Sequence, residues 1–266
     1  MSDPTSTIDA STVLLLRDDP GVGLEVFMVV RHHQIDFASG ALVFPGGKTA
    51  PGDQDPGLRK RSHGAEDLTD RQIALRACAI RESFEECGVL LARKAGEETL
   101  VGPDLIAKYD DWRPRLDKGE AQLMELLEEA DLYLALDVLV PYARWITPEF
   151  MPKRFDTYFY LAVAPSDQLA LHDGREHVDS AWLNPVNALK EMEEGKWTII
   201  FPTRLNLEKL TPAKTAADAL TRAEADDIKI VQPEVVKTDK GPILRIRDDA
   251  GYATTEEAIE RAVKGK

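Results

Sequence analysis

The chain has 266 residues with 43% hydrophobic and 30% charged content, enough to bury the core of one α/β domain with insertions or of a domain with a small appendage. A formal net charge of −14 excludes broad binding to a nucleic-acid backbone, which needs a basic footprint, but leaves room for a small phosphorylated ligand met by a few cations and a metal. The N-terminal MSDPTSTIDAS lacks a basic or apolar leader and no run of about 18 apolar residues occurs, so neither a secretory signal nor a membrane span is expected and the expected location is cytoplasmic.

STVLLLRD and LEVFMVVR, two β-branched-rich runs separated by DPGVG, predict a β-hairpin. A short strand, ALVF (41–44), leads into the glycine turn FPGGK (44–48). The stretch from Thr49 to Leu68 is rich in proline, glycine and charge and reads as a long loop. A helix follows, because Ile73, Ala77, Ile80, Phe84 and Cys87 recur at helical spacing as one apolar stripe, and Gly88 supplies its stop. Cys78 and Cys87 fall nine positions apart on that helix, about 13 Å of rise and too far for a disulfide, so both read as reduced.

Glu82, Glu85 and Glu86 lie opposite the stripe at i, i+3 and i+4 and converge on one side. Acidic residues opposite an apolar stripe ordinarily form a solvated face. Three carboxylates meeting at a point, however, repel one another unless protons or hard cations neutralise them.

Beyond this helix, residues 103–136 read as helical and acidic, either a lid or structural filler. VLVPYARWITP, RFDTYFYLAVAP and HVDSAWLNP return to strand character, and VNALKEMEEGKW and FPTRLNLEKL to helix. TPAKTAADALTRA reads as a helix started by Thr211 and Pro212; IKIVQPEVV and PILRIR as a late hairpin around TDKG; and TTEEAIERAV as a helix opened by a Thr254 to Glu257 capping box.

The pattern R-E-x-x-E-E-x-G from Arg81 to Gly88, followed by Val89 and preceded by the glycine turn, resembles the signature of the Nudix hydrolases. The resemblance covers about residues 10 to 210 and implies an α/β/α sandwich with a central mixed sheet. It divides the chain into a 10–210 domain, with a box insertion at 49–68 and a helical insertion at 103–136, and a 211–266 extension. The family's box places its arginine 14 positions after the glycine; here Gly47 and Arg81 are 34 apart, an insertion of about 20 residues. The box's first acid, which pairs with that arginine in the family, is therefore open between Asp53 and Asp70.

By the same resemblance the chain is a metal-dependent enzyme that hydrolyses a diphosphate in a nucleoside-diphosphate-linked molecule, using Mg²⁺ or Mn²⁺. Glu85 and Glu86 become principal metal ligands with Glu82 assisting, Arg81 braces the helix, and Gly46 and Gly47, with Lys48, let the backbone approach the phosphates. Glu176 stands where relatives often carry an acid and is the candidate general base, while His172 and His177 read as ordinary loop or strand residues. VVRHHQIDFASGALVFPGG resembles the coenzyme A diphosphatase motif at Arg31, Gly40 and FPGG, with Asp36 where that motif has its second arginine. RWITPEFMPKRFDTYFYLA resembles the branch with a long box insertion, whose animal relative is a peroxisomal coenzyme A diphosphatase, and its Lys153 and Arg154 can supply the missing charge. Coenzyme A or an acyl derivative is thus the leading substrate. Nucleotide sugars, ADP-ribose, nucleoside triphosphates and a non-cleaving nucleotide sensor stand as alternatives, and the resemblance admits a homodimer.

Overall fold

The computed structural model of the protein describes residues 7–31, 40–165, 168, 177–239 and 241–264. Strands β1 (Ile8–Asp19) and β2 (Gly23–Arg31) form the expected antiparallel hairpin, with Leu16 opposite Val26. β3 (Leu42–Val43) pairs with β2, and β4 (Gly46–Lys48), the glycine turn itself, lies along β1 with Gly46 opposite Thr12 and Gly47 opposite Ser11. The chain continues through β5 (Ser62–His63), α1 (Asp70–Cys87), β6 (Ala92–Lys94), α2 (Pro103–Lys108), α3 (Trp112–Asp117), α4 (Leu123–Glu129), β7 (Leu132–Ala135), β8 (Val140–Ile146), β9 (Phe155–Val163) and β10 (His177–Leu183). It ends with α5 (Pro185–Glu193), α6 (Phe201–Leu210), α7 (Ala216–Glu224), β11 (Ile230–Val231), β12 (Glu234–Thr238), β13 (Gly241–Arg245), β14 (Glu256–Ala258) and α8 (Ile259–Lys264).

The main sheet runs β10-β2-β1-β9-β8-β11, with β3 and β4 attached to β2 and β1. It is mixed, since β1–β9 and β8–β11 are parallel and the other pairs antiparallel. Strand periodicity explains why both faces are covered. Val13 and Leu15 of β1, Phe27 and Val29 of β2 and Tyr160 and Ala162 of β9 enter one apolar cluster, which also holds Phe84 of α1 and Trp112, Leu116 and Leu126 of the helical insertion. The alternate residues Leu14, Leu16, Val26, Met28, Phe159 and Leu161 enter a second cluster with residues of α5, α6 and α7. Side chains of a strand point alternately to opposite faces, so continuous apolar runs such as VLLL demand two covered faces. The result is the expected α/β/α sandwich.

Several expectations are corrected. The box insertion is not a featureless loop: two 3₁₀ turns, Pro51–Gln54 and Pro56–Arg59, each start on a proline, and the Asp55 carboxylate accepts the Gly57 N–H at 2.7 Å to begin the second. Leu58 is fully buried there. Residues 103–136 are not helical throughout, because α4 ends at Glu129, Asp131 takes φ 50°, and Leu132–Ala135 pairs with β6 and β5. α7 starts at Thr215, whose hydroxyl accepts the Asp218 N–H, while Thr211 caps the end of α6. Likewise Glu256–Ala258 extends along β13 and α8 begins only at Ile259, since the strand partner displaces the expected capping box. The late hairpin is β12–β13, whereas Ile230–Val231 joins the main sheet beside β8. Among the described residues no helix is long and apolar enough to cross a membrane.

At the N-terminal end of α1, Arg71 donates to Asp9 and to Asp156, and Arg144 holds the same Asp156 through two bonds of 2.8 and 2.7 Å. Burial raises the Asp156 pKa, but bonds from Arg144 and Arg71 outweigh it and hold it below the ordinary carboxylate value. Asp156→Asn is expected to cost about 2 kcal/mol, the scale of hydrogen bonds to charged groups. Because the folded pKa is depressed, that contribution is complete above the unfolded value of about 4 and is lost as pH falls through the folded value. Urea unfolding of both proteins between neutral and acid pH should show the gap closing below about pH 4.

Candidate active site

Thr69 opens α1 by accepting the Gln72 N–H, while the Gln72 side chain returns to the Thr69 N–H, and Gly88 ends it in the left-handed conformation at φ 71°. The helix runs alongside β1, so its last two turns face the glycine turn. There the Gly46 N–H donates to Glu86 Oε2 at 2.9 Å. A Cβ on Gly47 would lie 2.5 Å from Glu82 Oε1, and one on Gly46 would lie 2.4 Å from the Ser11 carbonyl oxygen. Gly46, pressed against fixed backbone, admits no side chain, and Gly47 leaves room for the Glu82 carboxylate to pack on the turn.

Arg81 organises the carboxylates. Its Nε and Nη2 grip the two oxygens of Asp53 at 2.9 Å each, Nη1 donates to Glu82 Oε1 at 2.8 Å and Glu85 Oε2 at 2.9 Å, and Nη2 reaches the Lys48 carbonyl oxygen at 3.0 Å. The first acid of the box is thus Asp53. Its Oδ2 also accepts the Ala50 N–H, whereas Asp70 pairs at the surface with Arg59. Exposure is only 1% at Asp53, 7% at Arg81, and 9, 7 and 4% at Glu82, Glu85 and Glu86. The glutamate face is buried, not the solvated surface that a bare acidic stripe suggests.

One guanidinium cannot balance four carboxylates in such surroundings. Burial pushes the Glu85 carboxyl up to about 8, with Arg81 opposing and Glu82 adding to the shift. Glu85 Oε1 is buried without a hydrogen-bond partner. Burial opposes the Arg81 charge as well, yet Glu82 and Asp53 outweigh it and raise its pKa. Among the described residues no three His, Cys, Asp or Glu side chains already stand in ligating geometry; Arg81 Nη1 bridges Glu82 and Glu85 instead. A cation would have to draw these oxygens from the guanidinium. The all-oxygen donor set, the orphaned Oε1 and the uncompensated negative charge nevertheless fit a hard divalent ion.

The other expected site residues are spread differently. Arg31 closes β2, where its N–H meets the Ala41 carbonyl, one strand from the glycine turn. Lys48 has an exposed side chain and a carbonyl held by Arg81. Glu176 and Asp36 lie outside the described residues, as does the side chain of His177. Lys153 lies over the Phe155 ring and Arg154 donates to the Thr147 carbonyl, two residues from Asp156 at the Arg71 end of α1. Arg71 precedes Glu82 by 11 positions, about 16 Å along the helix, so this pair sits at the end away from the glutamates.

Three contributors went unread in the sequence. Cys78 donates to the Gly47 carbonyl at 3.6 Å and accepts from Arg81 Nη2, with burial driving its thiol pKa well up. Its place three residues before Arg81, on the same side, was the available signal. Arg113 and Gln122, from the helical insertion, contact Glu85 and the Asp53 turn, and no local pattern marks them. Removing Asp53 would leave Arg81 buried with its carboxylate clamp gone. Because Glu82 and Glu85 still pair with Arg81, Asp53→Ala is expected to cost about 1.5–3 kcal/mol, the scale of hydrogen bonds to a charged group, against no more than about 0.5 kcal/mol for the surface change Asp70→Asn. Chemical denaturation of the two variants measures the difference.

Residues 50–210 match the model of the NUDT19 Nudix domain. The chain is 25% identical to the acyl-coenzyme A diphosphatase NUDT19 of Xenopus laevis, covering 70% of this chain and 59% of that protein, and 26% identical to the Homo sapiens protein of the same name, covering 65% and 56%. It thus spans less than two thirds of these relatives' length. The solved structure of a NUDIX hydrolase from Alicyclobacillus acidocaldarius superposes with a TM-score of 0.66 at 30% identity, over 82% of this chain and 96% of that one. The chain belongs to the Nudix hydrolase family, in the branch described by the NUDT19 Nudix domain.

Proposed function

We propose that the protein hydrolyses a diphosphate linkage in a nucleoside-diphosphate-linked substrate, with Mg²⁺ or Mn²⁺ held by Glu85 and Glu86 and assisted by Glu82, and that coenzyme A or an acyl-coenzyme A is the substrate. The observation that carries the reading is the buried Glu85 carboxylate, with one oxygen on Arg81 and the other without a partner, one helical turn from a Glu82 that packs against Gly47 of the glycine turn. A divalent ion there supplies charge neutralisation at the diphosphate and activation of the attacking water. The chain's own groups do the rest. Arg81 fixes the glutamate rotamers while Asp53 fixes Arg81. The Gly46 N–H holds Glu86 by one oxygen. Glu176 is proposed as the acceptor of the water's proton.

Two facts favour a coenzyme A derivative over other diphosphates. Relatives matched over most of this chain bear the name acyl-coenzyme A diphosphatase, and Arg31, Gly40 and FPGG keep the spacing of the coenzyme A motif. Arg31 stands on the strand next to the glycine turn's own partner, β1. It is the better placed cation, since Lys153 and Arg154 lie at the far end of α1.

The test is a hydrolysis panel of coenzyme A, acetyl-coenzyme A, ADP-ribose, NADH and nucleoside triphosphates with Mg²⁺ or Mn²⁺, an EDTA control and products resolved by mass. Metal-dependent conversion of coenzyme A and water to 3′-phospho-AMP and 4′-phosphopantetheine is expected. Cleavage of another member alone would remove the substrate assignment. Glu85→Gln and Glu86→Gln are each expected to lower turnover by about two orders of magnitude or more, the scale of losing a group that stabilises transition-state charge, with circular dichroism unchanged. Turnover surviving both changes would refute the metal site.

A further inference from the structure

The two insertions are far apart in sequence but meet in the fold. The Leu134 N–H donates to the Arg61 carbonyl at 2.8 Å, Ser62 and Leu134 pair as parallel neighbours, and Arg61 forms an ion pair with Asp131. Gln122, at the start of α4, presses on the Asp53 turn so closely that a Cβ on Gly52 would come 2.1 Å from its Oε1. Met124 lies equally against the second turn, 3.0 Å from where a Cβ on Gly57 would sit. The helical insertion therefore buttresses the segment that carries Asp53.

Its other end reaches the far side of the same site. Trp112 and Leu116 of α3 sink into the apolar cluster that holds Phe84, and this anchors Arg113 at the C-terminal turn of α1. Arg113 Nε donates to the Glu85 carbonyl oxygen at 3.2 Å, and its Nη1 lies 3.3 Å from where a Cβ on Gly88 would sit. Nη1 is itself steadied by Asp110 at 3.1 Å. The Glu85 carbonyl is one of the last four of α1, which have no partner within the helix, and a cation is favoured at that end. Arg113 thus sets the backbone position of the residue whose carboxylate has the orphaned oxygen.

We propose that the helical insertion is a two-ended brace for the split box, with Arg113 as a positioning residue for Glu85 and the Gln122 contact at Gly52 holding Asp53 under Arg81. It is a fixed wall of the site, not a lid over it. A box interrupted by about 20 residues loses the short connection that would otherwise hold its first acid against its arginine. The brace replaces that connection by tertiary contact. Because it concerns the geometry of the glutamates, the inference rests on the metal-site reading above.

The test uses Arg113→Ala, Arg113→Lys and Gly52→Ala in the full chain. Two readouts are taken on each: amide hydrogen exchange of the metal-free protein, and Mn²⁺ affinity by titration with kcat and KM alongside. In the metal-free protein Arg113→Ala is expected to speed exchange at Gly88 and Val89 about tenfold relative to the amides of Ile73 to Ala77 in the first turns of the same helix. Mn²⁺ affinity is expected to fall by about tenfold in Arg113→Ala and in Gly52→Ala, the scale of losing a group that orients a ligand, with kcat falling and KM for the nucleotide held. Arg113→Lys, which keeps one donor, should recover part of both effects. If the brace acts as one unit, Arg113→Ala with Gly52→Ala is expected to lose less Mn²⁺ affinity than the sum of its singles, and a strictly additive loss refutes the single unit. Exchange rising equally along α1, or Mn²⁺ affinity within twofold of the parent in folded variants, overturns the proposal. If the parent itself binds no Mn²⁺, the metal reading fails and the exchange pattern alone decides the brace: local acceleration supports it and uniform or absent acceleration sinks it.

Discussion

A single guanidinium surrounded by carboxylates is the constraint on which the rest of the site depends. Arg81 grips Asp53 with two bonds and shares a third nitrogen between Glu82 and Glu85, all with very little exposure to water. A buried cation is tolerable only when its donors are satisfied, and five bonds to oxygen achieve that here. The carboxylates are in the opposite condition. They outnumber the positive charge; burial, with Glu82 adding to it, raises the Glu85 pKa, and one Glu85 oxygen has no partner. The site is thus structurally complete for Arg81 and electrostatically incomplete for its ligands, a state that a divalent cation or protons relieve.

That constraint reaches outward through the fold. Asp53 must be held 28 residues upstream of its partner, so its turn needs an anchor that local sequence does not provide. Proline-initiated 3₁₀ turns, the buried Leu58 and the pressure of Gln122 supply it. On the sheet, alternate β1 side chains feed two separate apolar clusters, which leaves β1 rigid between α1 on one face and α6 and α7 on the other. The glycine turn hangs from this strand by pairing with Ser11 and Thr12. Glu82 and Glu86 therefore meet a backbone whose position the core has already determined.

Where one local interaction decides a structure, the sequence was sufficient. The DPGVG hairpin, the Gly88 end of α1 and the placing of Glu82, Glu85 and Glu86 on that helix all follow from turn chemistry and helical spacing. It misled where a tertiary contact overruled the local pattern. LYLA satisfies an amphipathic helix but pairs as β7 because β5 and β6 offer open edges, and Thr211 loses the start of α7 to Thr215 because α6 runs on to Leu210. The choice between Asp53 and Asp70 was undecidable by counting. Burial decides it, since the Asp70 side chain is 98% exposed and that of Asp53 0%. The burial of the glutamate face was likewise invisible, because the residues that cover it come from other parts of the chain.

Charge also limits how a substrate can approach. A site with one cation among four carboxylates, in a chain of net charge −14, repels a diphosphate. On the proposed reading, a metal must therefore accompany or precede the nucleotide, and the remaining attraction must come from cations near the glycine turn. Lys153 and Arg154 belong to the β8–β9 connection, held by the Phe155 ring and the Thr147 carbonyl and close in sequence to Asp156, which binds Arg71 at the other end of α1. On that reading the cations nearest the glycine turn are Arg31, on the strand beside β1 and β3, and Lys48, exposed within the turn itself.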